Sequence, residues 1–338
     1  MSKPDERFEV LDGWRGLSII CVLATHLLPL GPKAWQLNLT FGPLGMALFF
    51  CLSGFLITNF LLRQPSISDF LIRRIARIVP LAWICIAISL FWIGASSDVW
   101  LAHLFFYANW PPIPLTDLTF HFWSLCLEMQ FYIGIALLYW ILKERGLLLL
   151  PLFCIGFTAF RIVDGVHVAI DTYYRIDEIL AGSTLALIVN NQFGKFLPKL
   201  IGNSSFPILL VLFVASCHPA SGALNYARPY LAAALVGWTL LNPGSAFSRW
   251  HGQRVLAYLA TISFALYVLH PLLAYSWLGQ GDLFEKYAKR PLLFMVLFLL
   301  AHVSTFQFER RCISLGKLCS ASVLPRLGKA AKAGALSQ

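Results

Sequence analysis

The chain has 338 residues, of which 58% are apolar and only 12% charged, and its formal net charge is +10. A soluble domain carries about 25% charged residues, so this composition excludes an ordinary soluble protein, and continuous apolar runs argue against a β-barrel. We predict an all-α polytopic membrane protein, in which the positive charge belongs to loops on the cytoplasmic side and does not indicate nucleic-acid binding.

Ten apolar runs are candidates for transmembrane helices, and the first is predicted to be a retained helix, not a signal peptide. They cover about 14–30, 41–62, 78–95, 123–142, 147–162, 178–192, 206–217, 229–242, 257–277 and 291–308. The stretch 99–110 is too short to span and is predicted to be interfacial or re-entrant. Ten helices place both termini on one side. Most Lys and Arg residues then fall on the side of the N-terminus, so the positive-inside rule predicts N-in and C-in.

The first helix carries two polar residues, Arg15 and His26, inside an otherwise apolar run. Eleven residues at 100° each bring them to the same face, about 16 Å apart along the helix axis. Either residue alone is compatible with an ordinary role, a snorkelling arginine or a histidine bonded between helices. Together they indicate a polar track through the bundle, with Arg15 near the inner interface and His26 in the outer half.

Arg74 and Arg77 lie three residues apart, on one face at the cytoplasmic start of the third predicted span. Arginine forks and helix N-termini both suit phosphate oxygens, so the pair predicts a grip on a phosphorylated cytosolic ligand. Plain positive-inside charge is the alternative.

Three further predicted spans carry titratable side chains within them or at their ends. Glu128 is an acid inside the fourth predicted span, and we expect it to be a structural carboxyl or the partner of a histidine at similar depth. Arg175 and Asp177, at the outer start of the sixth span, are expected to form a structural pair or to belong to a site. His270, in the outer half of the ninth span, is either a packed histidine or a proton carrier.

The eight cysteines form no CxxC or Cys/His cluster, and we predict neither a metal site nor a disulfide framework. We expect a membrane domain over 1–310 and a basic cytoplasmic tail over 311–338, lying against anionic inner-leaflet lipids.

Six motifs in chain order resemble the acyltransferase-3 family of membrane-bound acyltransferases, which includes bacterial O-antigen and exopolysaccharide O-acetyltransferases. They are LDGWRGLSIICVLATH (11–26), FFCLSGFLIT (49–58), RRIARIVPL (73–81), WSLCLEMQFY (123–132), RIDEILAG (175–182) and ISFALYVLH (262–270). The similarity covers nearly the whole chain.

The resemblance implies acyl transfer, most often acetyl, from acyl-coenzyme A to a carbohydrate hydroxyl at the bacterial inner membrane, with a periplasmic or lipid-linked glycan as acceptor. It implies that His26 is the catalytic histidine, with Arg15 as its companion and Glu128 in any acidic role. It implies coenzyme contacts for the family's R-x-x-R at Arg74 and Arg77. Arg73, in the same motif, is a further candidate for coenzyme binding, and Asp12 and Ser53 lie inside matching motifs as additional candidate site residues.

Two departures from the family pattern affect these expectations. Met129 stands where a second glutamate usually follows Glu128, and no E-x-P follows the last span, where Glu309 precedes Cys312. Two other classes of function remain open. A transporter also uses a polar track with titratable groups but is expected to show inverted repeats, which are not evident. A non-catalytic partner in glycan export would tolerate the loss of His26.

Overall fold

The computed structural model describes residues 9–64, 66–112 and 115–320, and every regular element in those ranges is helical. The helices, labelled in chain order, are α1 Glu9–Leu27, α2 Leu37–Arg63, α3 Ile67–Trp92, α4 Ser97–Leu104, α5 Phe122–Leu142, α6 Glu144–Leu147, α7 Leu150–Val163, α8 Thr172–Arg175, α9 Asp177–Val189, α10 Phe196–Gly202, α11 Phe206–Cys217, α12 Arg228–Leu241, α13 Ala246–His251, α14 Arg254–Tyr275, α15 Leu283–Ala288 and α16 Arg290–Val303.

The prediction of a polytopic helical membrane protein is confirmed, but the predicted number of spans is not reached. Within the described residues seven helices are long and apolar enough to cross a membrane, or up to eight if α10 and α11, bent by 88°, count as one. All ten apolar runs do form helices. However, α9, α11 and α12 have 13, 12 and 14 residues. At 1.5 Å per residue each covers only about 20 Å, less than the ~30 Å hydrocarbon core.

The helix at the C-terminal end continues further than the sequence predicts. A helical segment runs over Arg290–Ser320 and contains a π-helical stretch at Ser304–Glu309, so helix replaces the first ten residues of the predicted tail. The Ser320 hydroxyl donates a hydrogen bond to the buried Asp69 carboxylate at the start of α3. The end of this helical segment therefore packs against the start of α3. The remainder of the predicted tail, 321–338, lies outside the described residues.

Helix α2 is the most buried of the long helices and packs against α1, α9, α11 and α12. Its contact with α9 depends on two glycines, one on each helix. A Cβ on Gly54 would lie 1.8 Å from the Ile179 carbonyl oxygen, and one on Gly182 would lie 1.9 Å from the Cys51 carbonyl oxygen. The two backbones therefore touch directly, as small residues allow between membrane helices.

A buried ionic network joins α7, α8, α9 and α12. Arg161 on α7 pairs with Asp177, while Glu178 accepts from Arg228 Nε at 2.6 Å and lies 3.3 Å from Arg175 Nε. All five side chains are almost fully buried. The expected Arg175–Asp177 pair is therefore replaced by pairs with other partners. Residues three apart on a helix face each other and residues two apart do not, so Arg175 meets Glu178 and not Asp177.

Large apolar side chains cover the outside of the bundle. Phe91 and Trp92 at the end of α3 are 77% and 69% exposed, and Val163 at the end of α7 is 83% exposed. In water such surfaces would associate, whereas against lipid tails they are stable. The outer surface therefore supports a membrane location.

Candidate active site

Three histidines, two of them on α1 and α14 and one just before α5, line one pocket at the end of the bundle where α1 and α14 finish. The ring centroids of His26 and His270 are 5.1 Å apart, and those of His121 and His270 are 5.6 Å apart. His26 is the penultimate residue of α1, His121 immediately precedes α5, and His270 lies near the end of α14. The pocket, termed the histidine pocket below, has a volume of about 340 Å³, within the range of small-ligand sites.

Helix α14 positions two of these imidazoles. The hydroxyl of Tyr267 donates to the His121 carbonyl oxygen at 2.5 Å and contacts the Ser124 hydroxyl at 2.6 Å, which holds the start of α5 against α14. One turn further, His270 Nδ1 lies 2.7 Å from the Tyr267 carbonyl oxygen. Because a carbonyl only accepts, Nδ1 carries the proton in the neutral ring and Nε2 keeps its lone pair.

The three histidines differ in their access to solvent. His26 is exposed at the pocket surface, whereas His121 and His270 are 5% and 1% exposed. Burial and the neighbouring imidazoles of His270 and His26 lower the pKa of His121 well below its usual range, so this ring is neutral near pH 7. An incoming hydroxyl group can reach His26, while the other two rings form the wall behind it.

A second, smaller cavity lies among α1, α2, α3, α5 and α14. Its polar lining includes the guanidinium groups of Arg15, Arg74 and Arg77 and the carboxyl group of Glu128. Three cations against one carboxylate make this space, termed the arginine cavity below, attractive to an anion. Its volume is only about 30 Å³, enough for one or two waters.

Glu128 is held in the arginine cavity by two hydroxyl groups. Both Ser53 of α2 and Tyr132 of α5 donate hydrogen bonds to its Oε1. The guanidinium carbon of Arg74 lies 5.6 Å from the centroid of the Tyr132 ring, a cation–π distance. The structure thus places Glu128 with the arginines and not among the residues that line the histidine pocket, where the depth argument had expected it. The reason is that depth along a helix does not specify which side chains of the neighbouring helices a residue meets.

The remaining sequence candidates lie apart from both spaces or at their edges. Arg73 points away from the arginine cavity, is exposed, and donates from Nε to Asp69 at 2.7 Å, so this arrangement does not support its predicted contact with a donor. Asp12 is half-buried one turn before Arg15 on α1. Arg175 and Asp177 belong to the buried ionic network described above.

Sequence reasoning missed several residues of these sites, among them His121, Tyr132 and Arg290. His121 stands two residues before the motif at 123–132, and the depth argument applied to His26 and His270 extends to it. Tyr132, four residues after Glu128, shares its helical face and is a detectable partner. Arg290 carries no recognisable signal in the sequence, because its place in the histidine pocket depends on how α16 packs.

Comparison with known proteins gives a family match and distant relatives. The family model described as an acyltransferase domain (Acyl_transf_3) matches residues 8–307. Peptidoglycan O-acetyltransferase OatA of Listeria monocytogenes is 26% identical over 315 residues, covering 77% of this chain and 48% of that protein. O-acetyltransferase OatA of Staphylococcus aureus is 26% identical over 326 residues, covering 81% and 52%. The chain therefore spans about half the length of the curated relatives it matches. No solved structure matches.

Proposed function

The chain belongs to the acyltransferase domain family, and on that premise we propose that it is a membrane-bound O-acyltransferase that transfers an acyl group from acyl-coenzyme A to a glycan hydroxyl. Acetyl is the proposed acyl group, because both relatives are named as O-acetyltransferases. The observation that carries the proposal is the histidine pocket, in which an accessible imidazole is backed by two buried ones.

His26 serves as the general base in the proposed reaction. Its imidazole takes the proton from the acceptor hydroxyl as the oxygen attacks the thioester carbonyl. The carbon–sulfur bond then breaks, and the thiolate of coenzyme A leaves and takes up the proton from the imidazolium. His270 lies against His26 and His121 lies against His270, so the two buried rings hold the base in place and limit the entry of water.

The donor's phosphate groups are proposed to bind from the side of Arg15, Arg74 and Arg77. Their guanidinium groups supply charge and fork geometry for phosphate oxygens. The arginine cavity is too small for a phosphate or a pantetheine arm, so donor binding requires its walls to separate. Along α1 the two sites are about 16 Å apart, which an extended pantetheine arm has to bridge.

We propose an inner-membrane location with the N-terminus in the cytoplasm. In this topology most Lys and Arg residues lie on the same side of the membrane as the N-terminus, which supports this orientation. It directs the arginine cavity to the cytosol, where acyl-coenzyme A is made, and the histidine pocket to the outside. O-antigen, exopolysaccharide and the peptidoglycan named for the Listeria relative all offer sugar hydroxyls there.

The test uses the purified full-length chain in lipid nanodiscs with radiolabelled acetyl-coenzyme A and glycan fragments. His26→Ala is expected to abolish transfer, and His270→Gln to lower it strongly, because each removes an imidazole of the pocket. His302→Gln is the matched control, since His302 lies on α16 and bonds to Tyr258 instead. Normal transfer by a folded His26→Ala protein would refute the proposal. Solute flux in proteoliposomes without a donor would support the transporter alternative.

A further inference from the structure

The histidine pocket is also lined by an arginine, Arg290, that the proposed chemistry does not use. Arg290, the first residue of α16, lines this pocket and is 6% exposed. Its Nε and Nη1 atoms are buried and have no hydrogen-bond partner among the described residues. A buried cation whose donors are unmatched is costly, so a partner that arrives from outside would stabilise it.

The electrostatic surroundings of Arg290 favour an anion. Lys286 lines the same pocket, and the amide groups at the N-terminus of α16 add partial positive charge. The nearby acid on α15 is already engaged, because Glu285 accepts from Lys289 Nζ at 2.9 Å. Asp117 contributes the acidic side chain of the lining but forms no ion pair with Arg290 among the residues that the structure describes. The pocket wall therefore carries excess positive charge.

Aromatic packing keeps Arg290 in this position. Its guanidinium carbon lies 5.8 Å from the ring centroid of Tyr287, and the side chain occupies the junction of α15 and α16. A planar guanidinium held in this way presents its donors as a fork, the geometry that matches a carboxylate or a phosphate.

We propose that Arg290, with Lys286, forms a subsite for an anionic group of the acceptor, a carboxylate or a phosphate. The inference rests on the proposed function, because it takes the ligand of the histidine pocket to be the acceptor. His26 and Arg290 line one space, so the reacting hydroxyl and the anionic group belong to the same glycan segment. The acceptor class is then an acidic glycan, such as one with uronic acid or sugar phosphate units.

The experiment measures binding without any acyl donor, so its outcome does not depend on catalysis. The full-length protein in nanodiscs is titrated calorimetrically with methyl glucuronoside, glucose 6-phosphate and methyl glucoside. The first two represent the carboxylate and the phosphate, and the third is neutral. We expect at least one acidic sugar to bind at least tenfold more tightly than methyl glucoside, a difference of about 1.4 kcal/mol. The preference is expected to weaken as salt rises.

Substitutions assign that preference to Arg290. Arg290→Gln is expected to remove it and Arg290→Lys to retain part of it. Lys33→Gln is the control, because Lys33 is an exposed cation that does not line the pocket. Thermal unfolding reports whether each variant is folded. If Arg290→Gln does not fold, the comparison of wild type with Arg290→Lys and the salt dependence decide.

Three results would overturn the inference. They are equal binding of acidic and neutral sugars by the wild type, unchanged acidic-sugar binding by folded Arg290→Gln, and, in a parallel titration with coenzyme A, a loss of coenzyme A binding alone in that variant. The last result would assign Arg290 to the donor. The failure of the proposed function would be normal acyl transfer by folded His26→Ala, which is measured with a donor and not by sugar binding, so the two failures are distinguishable.

Discussion

The guanidinium carbon of Arg74 on α3 lies 5.6 Å from the ring centroid of Tyr132 on α5, and the hydroxyl of the same tyrosine donates a hydrogen bond to the Glu128 carboxylate. The contact joins the cationic and acidic sides of the arginine cavity through one aromatic ring. A change at Tyr132 therefore removes a contact of both Arg74 and Glu128.

Removing the paired arginine charges should weaken donor binding more than folding. Arg74→Gln combined with Arg77→Gln is expected to raise the dissociation constant of coenzyme A at least tenfold, since hydrogen bonds to charged groups contribute about 1.5–3 kcal/mol each. Arg73→Gln should leave it unchanged, because Arg73 is exposed and bonded to Asp69. Equilibrium binding to nanodisc-embedded protein measures both. Equal losses in the double variant and in the Arg73 variant would contradict the assignment.

Glu128 and Tyr132 should differ in their contribution to stability. Tyr132→Phe removes one hydrogen bond to Glu128 and is expected to cost about 1 kcal/mol of unfolding free energy. Glu128→Gln removes the carboxylate that faces three arginines and is expected to cost about 2 kcal/mol, because the half-buried cations then repel each other uncompensated. Unfolding in mixed micelles gives both values. A stabilised Glu128→Gln protein would show that the arginines need no acid.

The contact between α2 and α9 predicts a severe effect from one methyl group. Gly182→Ala places a Cβ 1.9 Å from the Cys51 carbonyl oxygen, so the helices must separate, at a cost of about 3 kcal/mol or more. Gly156→Ala is the matched control on α7, where an added Cβ meets no atom of the described residues within 4 Å. It should be neutral or stabilising by up to about 1 kcal/mol. Similar thermal unfolding of the two variants would refute the close approach.

His121 predicts how stability depends on pH. Its pKa is lowered in the folded protein by burial and by His270 and His26, whereas in the unfolded chain it is about 6.5. Below that pH the unfolded state binds the proton more readily, so the unfolding free energy falls as pH decreases from about 6.5. His121→Gln should reduce this fall. The measurement is chemical unfolding at pH 7 and pH 5, and an equal fall in wild type and variant would contradict the prediction.

The sequence by itself determined the class of the protein and the types of group in its sites. Continuous apolar runs with few charged residues specify membrane helices, and all ten runs are helical in the structure. Residues 11 apart on one helix share a face, so the separation of Arg15 and His26 along α1 follows from helix geometry alone.

Only the tertiary structure decided which polar groups meet. Periodicity specifies the face and depth of a residue on its own helix but not the neighbour that this face contacts. The sequence alone therefore could not place Glu128 with the arginines or pair Asp177 with Arg161. Nor could it bring His121 and Arg290 into the histidine pocket. Close approaches such as that of Gly182 to Cys51 set how the helices pack, and packing between distant segments placed these side chains together.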